Sequence, residues 1–139
     1  MKFPYRDLPA EPCPAFPDQK KISVPAIRIT IRCQSKLCDV YALVDSGAAK
    51  CIFPSEIGRA LGLDVKSGKK GPIRGIDDIE NTAYYHEVEV IIGGRNLKIL
   101  VGFIEKIPLP ILGHDGFFDK FEIKFDYRKK VIELKPYQD

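Results

Sequence analysis

One short segment of the sequence combines residue types that can do chemistry. Asp45, Ser46 and Gly47 follow directly on the apolar run of residues 42–44. A carboxylate at the end of a buried strand loses hydration, so it needs hydrogen-bond donors nearby. Gly47 lets the chain turn sharply enough for backbone N–H groups to point at the Asp45 carboxylate, and the Ser46 hydroxyl can tie the turn down. The tripeptide alone occurs by chance in about one chain in twenty of this size, so an ordinary turn is the alternative interpretation.

The cysteines and histidines do not form a pattern typical of a metal site. Cys33 and Cys38 flank a turn-like segment, which would allow a cross-hairpin disulfide or half of a metal site. A metal needs two further ligands at suitable spacing, and His86 and His114 are isolated. We therefore predict no metal, and two ordinary thiols at a hairpin. Cys51 lies in an apolar stretch and is predicted to be a core residue.

The other acidic residues near apolar segments have simpler explanations than catalysis. Glu87 and Glu89 alternate with valines and are predicted to lie on a solvated strand face. Asp115 follows a glycine that would open a helix, where a negative charge stabilises the helix N-terminus. His114 is predicted to be a surface residue, with a pH-sensitive contact as the alternative. None of these residues is assigned a catalytic role.

Alternating apolar residues predict the strands that must position the Asp45 segment. Residues 26–32 place three isoleucines on one face and polar side chains on the other, as in a half-buried strand. Residues 40–44 are almost wholly apolar and are predicted to be buried on both faces. Residues 51–53 form a third strand. A brief helix follows, with Ser55 as its N-cap and Gly62 at its end.

The second half of the sequence predicts two more hairpins. Residues 84–92 and 97–104 are strands around Gly93 and Gly94, a pair typical of a tight hairpin turn. The remaining elements are a loop or mobile hairpin at 66–78, a short helix at 114–120, and a closing hairpin of strands 122–126 and 131–134. Together these elements predict a mainly β domain.

The first 21 residues differ in composition from the rest. Six of the eleven prolines lie in the first 25 residues, which predicts an extended arm without helix. Such an arm is either disordered or wraps around the domain or a partner. We therefore divide the chain into a proline-rich arm at 1–21 and one domain at 22–139.

Composition limits the remaining classes of function. The chain has 139 residues, of which 45% are hydrophobic and 29% charged, and this suits one folded domain. Its net charge of +3 comes from basic residues spread along the sequence, so we expect no nucleic-acid partner. No apolar run is long enough to cross a bilayer, and the N-terminus lacks the apolar part of a signal peptide. We expect a soluble, cytoplasmic protein with no membrane partner.

Three ordered segments give the sequence a family resemblance. The first apolar run ends in DSGA at residues 45–48, and a second ends in PILG at residues 110–113. Between them, residues 72–78 place isoleucines around a glycine, as in a hairpin tip. Over about residues 22–135 the sequence resembles the retropepsin-like aspartic proteases. The resemblance implies a mainly β, single-lobe acid-protease barrel with one or two short helices, in which residues 72–78 are the flap.

The resemblance also implies roles for individual residues. Asp45 would be catalytic, Ser46 would brace the loop across a dimer axis, and Gly47 would supply a backbone N–H close to the substrate. Apolar or small residues form the implied substrate-binding set: Leu43, Ala48, Ala49, Ile52, Ile73, Gly75, Ile76 and Ile111. For Leu43 and Ile52, an ordinary core position is an equal alternative.

The chemistry of this family needs two carboxylates that share one proton. The chain contains one DSG segment and is too short for two lobes, so the resemblance implies a symmetric homodimer. The nucleophile would be water, and neither a metal nor an organic cofactor is implied. The implied substrates are peptides or unfolded protein segments with apolar residues at the cut site.

The sequence departs from the retroviral pattern next to this site. Ala49 and Lys50 replace acidic residues, and His114 replaces the arginine that pairs with them, so that ion pair cannot form here. Two alternatives to an active protease therefore stay open. One is a non-catalytic module of the same fold that dimerises or binds peptides. The other is a latent protease whose N-terminal arm occupies the cleft or the dimer edge until it is removed.

Overall fold

Strands dominate the chain, with 59% of residues in strands and 7% in helix. The computed structural model describes residues 1–74 and 80–138. The strands are β1 (Lys2–Pro4), β2 (Arg6–Pro9), β3 (Lys21–Val24), β4 (Ala26–Cys33), β5 (Lys36–Val44), β6 (Cys51–Pro54), β7 (Lys69–Arg74), β8 (Glu80–Ile92), β9 (Arg95–Ile104), β10 (Ile111–Leu112), β11 (Phe121–Asp126) and β12 (Val131–Pro136). Helix α1 spans Ser55–Ala60, and a 3-10 turn spans Val65–Ser67. Within the two described ranges, no helix has both the length and the apolar character needed to cross a membrane.

Six of the strands close into a barrel that holds the core. Their hydrogen-bonded order is β4-β5-β10-β6-β9-β8, and β8 pairs back onto β4. β7 extends the sheet beyond β8. Phe53, Phe103, Phe117 and Phe121 are almost fully buried among aliphatic residues of the barrel strands. Burial of this apolar surface is the main force that stabilises the fold, and the predicted mainly β barrel is confirmed.

Two sequence patterns correspond closely to observed strands. In β4, Ile27, Ile29 and Ile31 are buried, and the residues between them are more exposed. β8 and β9 pair directly across Gly93 and Gly94, whose φ angles of +54° and +82° suit a type I′ hairpin turn. The prediction of the first strand and that of this hairpin are therefore confirmed, as are the strand at β6 and the closing β11–β12 hairpin.

The prediction that residues 40–44 are buried on both faces is wrong. β5 alternates, with Ala42 and Val44 inside and Tyr41 43% exposed. The Arg6 guanidinium lies 3.7 Å from the centre of the Tyr41 ring. A cation therefore covers this ring where a second apolar layer was expected.

The N-cap prediction for Ser55 is also wrong. Ser55 is the first residue of α1 and is buried, while Pro54 stands at the cap position without a side-chain hydrogen bond. Pro54 has φ −58°, and its ring fixes this angle as the chain enters the helix. Gly62 has φ +80° just after the last helical turn, in agreement with the prediction for the helix end.

Residues 66–78 were predicted to form a loop or a mobile hairpin, and the structure shows hairpin pairing in this segment. Residues 69–74 form β7, which pairs antiparallel with β8 over six consecutive positions. The backbone hydrogen bonds of this ladder outweigh the low strand propensity of its glycine and proline. The tip of the predicted flap, residues 75–79 with Gly75 and Ile76, lies outside the described residues.

The helix predicted at 114–120 is not formed, and the segment is a series of turns. Gly116 has φ +109°, which no α-helix accommodates. The N–H groups of Phe118 and Asp119 bond to carbonyl groups five residues back, where an α-helix would use the fourth. The turns bury Phe117 in the core, so packing has overridden local helix propensity.

The N-terminal arm pairs with the rest of the chain as two separate strands. β1 pairs with β12, which also pairs with β11, and the Met1 amine donates a hydrogen bond to the Leu134 carbonyl at 2.9 Å. β2 pairs with β3 as an isolated two-stranded ribbon. Residues 11–20 at the ribbon tip are exposed, including Phe16. The boundary predicted after residue 21 falls at the start of β3 within this ribbon.

Candidate active site

The Asp45 carboxylate is held where β5 leaves the barrel. β5 and β10 run parallel, with Leu43 opposite Ile111. The Asp45 N–H donates to the Leu112 carbonyl at 3.0 Å, which fixes the backbone of the turn. The Gly47 N–H donates to Oδ1 of Asp45 at 2.8 Å. The sequence predicted a backbone N–H at this carboxylate, and the hydrogen bond fixes the position of Oδ1. The Asp45 side chain is half-buried, so the carboxylate stays accessible to solvent.

A second loop locks onto the Asp45 loop at Gly113. The N–H groups of His114 and Asp115 donate to the carbonyls of Ala48 and Ala49, at 2.9 and 3.0 Å. A Cβ atom on Gly113 would lie 2.3 Å from the Lys50 carbonyl oxygen. Only glycine permits the two backbones to approach this closely, and the approach ties the Asp45 loop to the end of β10.

Cys51 lies beneath the junction of these two loops. Its side chain is fully buried, as predicted. The sulfur accepts the Gly113 N–H and contacts the Asp115 carbonyl, both at 3.4 Å. Burial raises the pKa of this thiol to about 11, and the Gly113 hydrogen bond offsets only part of that rise. The thiol stays protonated at neutral pH and has a structural role here.

Cys51 is therefore expected to react with thiol reagents at least about a hundredfold more slowly than the exposed Cys13. Iodoacetamide labelling at pH 8, followed by peptide mapping, measures both sites in one sample. The difference is expected to vanish in denaturant, which is the internal control. Equal labelling of both cysteines in the folded protein would show that the Gly113 junction opens freely.

A cleft of about 760 Å³ opens beside Asp45. Five of the predicted substrate-binding residues line it together with Asp45 and Gly47: Ala48, Ala49, Ile52, Ile73 and Ile111. Leu43 is half-buried in β5, and it belongs neither to the described lining residues nor to the buried core. Gly75 and Ile76 lie outside the described residues. Ser46 is exposed at the tip of the loop.

Sequence reasoning missed further residues of the cleft wall: Lys50, Pro72, Arg74, Asn81, Ile104 and Ile107. They come from the loop before β6, from β7 and β8, from the end of β9 and from the loop that follows β9. Ile104 lies out of phase with the core residues Val101 and Phe103, but it ends an almost continuous apolar run at 99–104 that hides this alternation in the sequence. Lys50 carried a usable signal, because a charged residue directly before the buried β6 marks the edge of the barrel.

Lys50 and Asp115 form an ion pair at the rim of the cleft, with Nζ and Oδ2 2.5 Å apart. Each partner favours the charged form of the other, so the pKa of the Lys50 ammonium is raised and that of the Asp115 carboxyl is lowered. The predicted role of Asp115 at a helix N-terminus is wrong, because no helix follows it. Lys50, which stands where the retroviral pattern has an acidic residue, thus pairs with the residue that follows His114.

His114 is exposed and reaches back to the Asp45 loop. Its Nε2 donates to the Ser46 carbonyl, and its ring packs edge-on against Phe118. The surface position was predicted, but the contact with the loop was not. In the described part of the chain, no three His, Cys, Asp or Glu side chains cluster as a metal site would require, and Cys33 and Cys38 are free thiols.

Comparisons with solved structures find similar folds among aspartic proteases. The EIAV protease complexed with the inhibitor HBY-793 has a TM-score of 0.55 and is 22% identical, with 69% of this chain and 86% of that chain covered. A retropepsin-like aspartic protease from Rickettsia conorii has a TM-score of 0.60 and is 17% identical, with 96% and 92% covered. Comparisons with protein-family models and with curated proteins gave no match. The chain therefore has the fold of the retropepsin-like aspartic proteases.

Proposed function

We propose that this chain is an aspartic endopeptidase that acts as a homodimer, with Asp45 of each protomer forming the catalytic pair. One observation carries the proposal. Asp45 is the single carboxylate among the described residues that line an otherwise largely apolar cleft. Its backbone and one carboxylate oxygen are both fixed by hydrogen bonds. The fold shared with aspartic proteases gives further support.

The proposed mechanism uses the two carboxylates in different protonation states. Two carboxylates that share one site cannot both stay ionised, because their negative charges repel each other. The pair therefore holds one proton and titrates as a unit. The ionised carboxylate takes a proton from water as the water oxygen attacks the peptide carbonyl carbon. The protonated carboxylate donates its hydrogen to the carbonyl oxygen. Proton transfer to the amide nitrogen then lets the C–N bond break, and the free acid and amine leave.

The cleft wall supports apolar residues at the cut site. Ile52 and Ile104 belong to a small buried cluster behind the cleft, and Ile73 and Ile107 pack against it. These side chains offer aliphatic surface to a substrate, and burying that surface supplies binding energy of about 0.8 kcal/mol per CH₂ group. Peptides and unfolded segments are the proposed substrates, because an extended chain can lie along an open cleft. A cytoplasmic location stays a prediction from the sequence.

Digestion of a diverse peptide mixture tests this function. The protein is incubated with the mixture from pH 4 to 8, and new termini are read by mass spectrometry. Cuts between apolar residues are expected. An absence of cuts at high protein concentration, where a dimer would form, would leave the non-catalytic module or the latent form. If a chain lacking residues 1–20 also made no cuts, the protease would be rejected.

The homodimer makes a separate prediction. A threefold excess of Asp45→Asn protein, mixed with wild type and allowed to exchange, leaves about a quarter of the wild-type chains with a wild-type partner. The rate per wild-type chain should then fall to about a quarter. The same excess of Asp64→Asn protein, altered at an exposed aspartate before the 3-10 turn, should raise the total rate. A rate per wild-type chain that stays unchanged on addition of Asp45→Asn protein would indicate a monomeric enzyme.

A non-catalytic module that binds peptides is the second candidate. The departure from the retroviral pattern favours it, because Ala49 and Lys50 stand where that pattern has acidic residues, and Lys50 pairs with Asp115. Such a module would bind peptides in the same cleft without cutting them. The latent form is a further prediction, although none of the described cleft-lining residues belongs to the arm at 1–21. Equal rates for the full chain and a chain lacking residues 1–20 would reject latency.

A further inference from the structure

A second groove, of about 540 Å³, adjoins the cleft and shares Lys50 and Pro72 with it. Lysines from four separate segments of the chain converge on this groove. We call it the lysine groove, after Lys50, Lys69, Lys70, Lys98 and Lys120. Two lysines lie on β7 and one on β9, while Lys50 precedes β6 and Lys120 precedes β11. The cluster therefore arises from folding and could not be recognised as a charge run in the sequence.

The floor of the lysine groove is built around Tyr85. A Cβ atom on Gly71 would lie 2.8 Å from the Tyr85 ring, and one on Gly102 would lie 3.0 Å from it. The two glycines thus leave the space that the ring occupies. Ile99 is buried beside the groove, and Leu100 is 57% exposed in its wall. An aromatic floor and an apolar wall allow a peptide backbone to lie against the groove while its side chains meet the lysines.

The charge of the chain is concentrated in this groove. Asp115 and Asp119 are its two acids, so its five lysines leave an excess of three positive charges. The whole chain has 22 basic and 19 acidic residues, which is the same excess of three. The rest of the chain is therefore electrically balanced. Within the described residues, Lys69, Lys70 and Lys98 have no ion-pair partner.

Like charges held together raise the free energy of the folded protein, and a bound anion relieves that repulsion. We infer that the lysine groove selects substrates, by binding acidic side chains of the peptide outside the apolar residues at the cut site. The inference rests on the proposed function, since it assigns the substrate class of the same cleft. A symmetric dimer carries one groove per protomer. The favoured substrates are therefore peptides with Asp or Glu on both flanks of the apolar cut site.

Matched peptides test this substrate class. One apolar cut site, taken from the peptide digest, is flanked on both sides by Glu, by Gln or by Lys. The wild type is expected to show about tenfold higher kcat/KM for the Glu peptide than for the Gln peptide, because several exposed ion pairs act together. The preference should shrink in 1 M NaCl, where the screening length is about 3 Å. Equal rates for the Glu and Gln peptides would overturn the inference and leave the protease intact.

Charge-reversal variants assign the effect to the groove. Lys69→Glu/Lys70→Glu should lose the preference for Glu and favour the Lys peptide. Lys124→Glu/Lys129→Glu is the matched control, since it reverses two exposed lysines on the terminal sheet and hairpin turn. The control should keep the wild-type preference. If both double variants change it equally, the effect comes from net charge, and the groove is not the site.

A binding experiment separates failure of the inference from failure of the proposed function. Fluorescent Glu and Gln peptides are titrated with Asp45→Asn protein, and anisotropy is read. Preferential binding of the Glu peptide that is lost in Lys69→Glu/Lys70→Glu supports the groove, even if wild type cuts nothing. Equal binding of both peptides overturns it. A single-stranded DNA oligomer that displaces the Glu peptide at lower concentration than unlabelled Glu peptide would also overturn it, in favour of a nucleic-acid site.

Discussion

Replacement of Asp45 by Asn is expected to lower kcat/KM for every cleaved peptide by at least about a thousandfold. The amide cannot accept a proton from water, and in the proposed dimer it cannot share a proton with the second Asp45 carboxyl group. The change should spare the fold, because the amide oxygen can still accept the Gly47 N–H that now bonds Oδ1 at 2.8 Å. Activity assays and thermal unfolding on the same samples separate the two effects.

Asp64→Asn is the matched control for this loss. Asp64 is exposed at the start of the 3-10 turn and lies outside both the cleft and the lysine groove. Its variant is expected to keep wild-type rates. If Asp45→Asn retained more than about a tenth of the wild-type rate, catalysis by an Asp45 pair would be excluded. Cleavage would then have to come from another group or from a contaminating protease.

The barrel strands were predictable where local pattern and tertiary packing agree. The alternating isoleucines of β4 face the core, and the glycine pair between β8 and β9 adopts the positive φ angles that its turn needs. Local pattern was insufficient where contacts made in the folded chain decide the structure. It left a loop and a mobile hairpin open for residues 66–78, and pairing with β8 makes residues 69–74 a hairpin strand. Burial of Phe117 replaces the expected helix at 114–120 with turns.

The candidate site was also predictable only where its contacts join residues that are close in the sequence. Asp45 and Gly47 are neighbours in the chain, so their hydrogen bond could be foreseen. The pairing of Lys50 with Asp115 spans 65 residues and depends on how two loops cross. The lysine groove depends on four segments at once. Residues that come together only on folding form no local motif, so their proximity could not be recognised in the sequence.

Gly113→Ala is expected to destabilise the fold by about 3 kcal/mol or more, at the upper end of the range for overpacking. A Cβ at this position would lie 2.3 Å from the Lys50 carbonyl oxygen and 2.6 Å from that of Ala48. Both obstacles are backbone atoms, so no side chain can rotate away to relieve the clash. Thermal unfolding should show a fall in Tm of about 10 °C or more.

Gly94→Ala separates this clash from the general effect of losing a glycine. Gly94 has φ +82° and nothing within 4 Å of its added Cβ, so the change introduces only backbone strain of about 1 kcal/mol. Equal losses of Tm in the two variants would mean that close approach at Gly113 is unimportant.

A larger loss at Gly113 should be accompanied by lower activity in the protein that stays folded. The reason is that the hydrogen bonds from His114 and Asp115 to Ala48 and Ala49 hold the Asp45 loop in place. The glycine that follows β10 therefore links the stability of the barrel to the position of the proposed catalytic carboxylate.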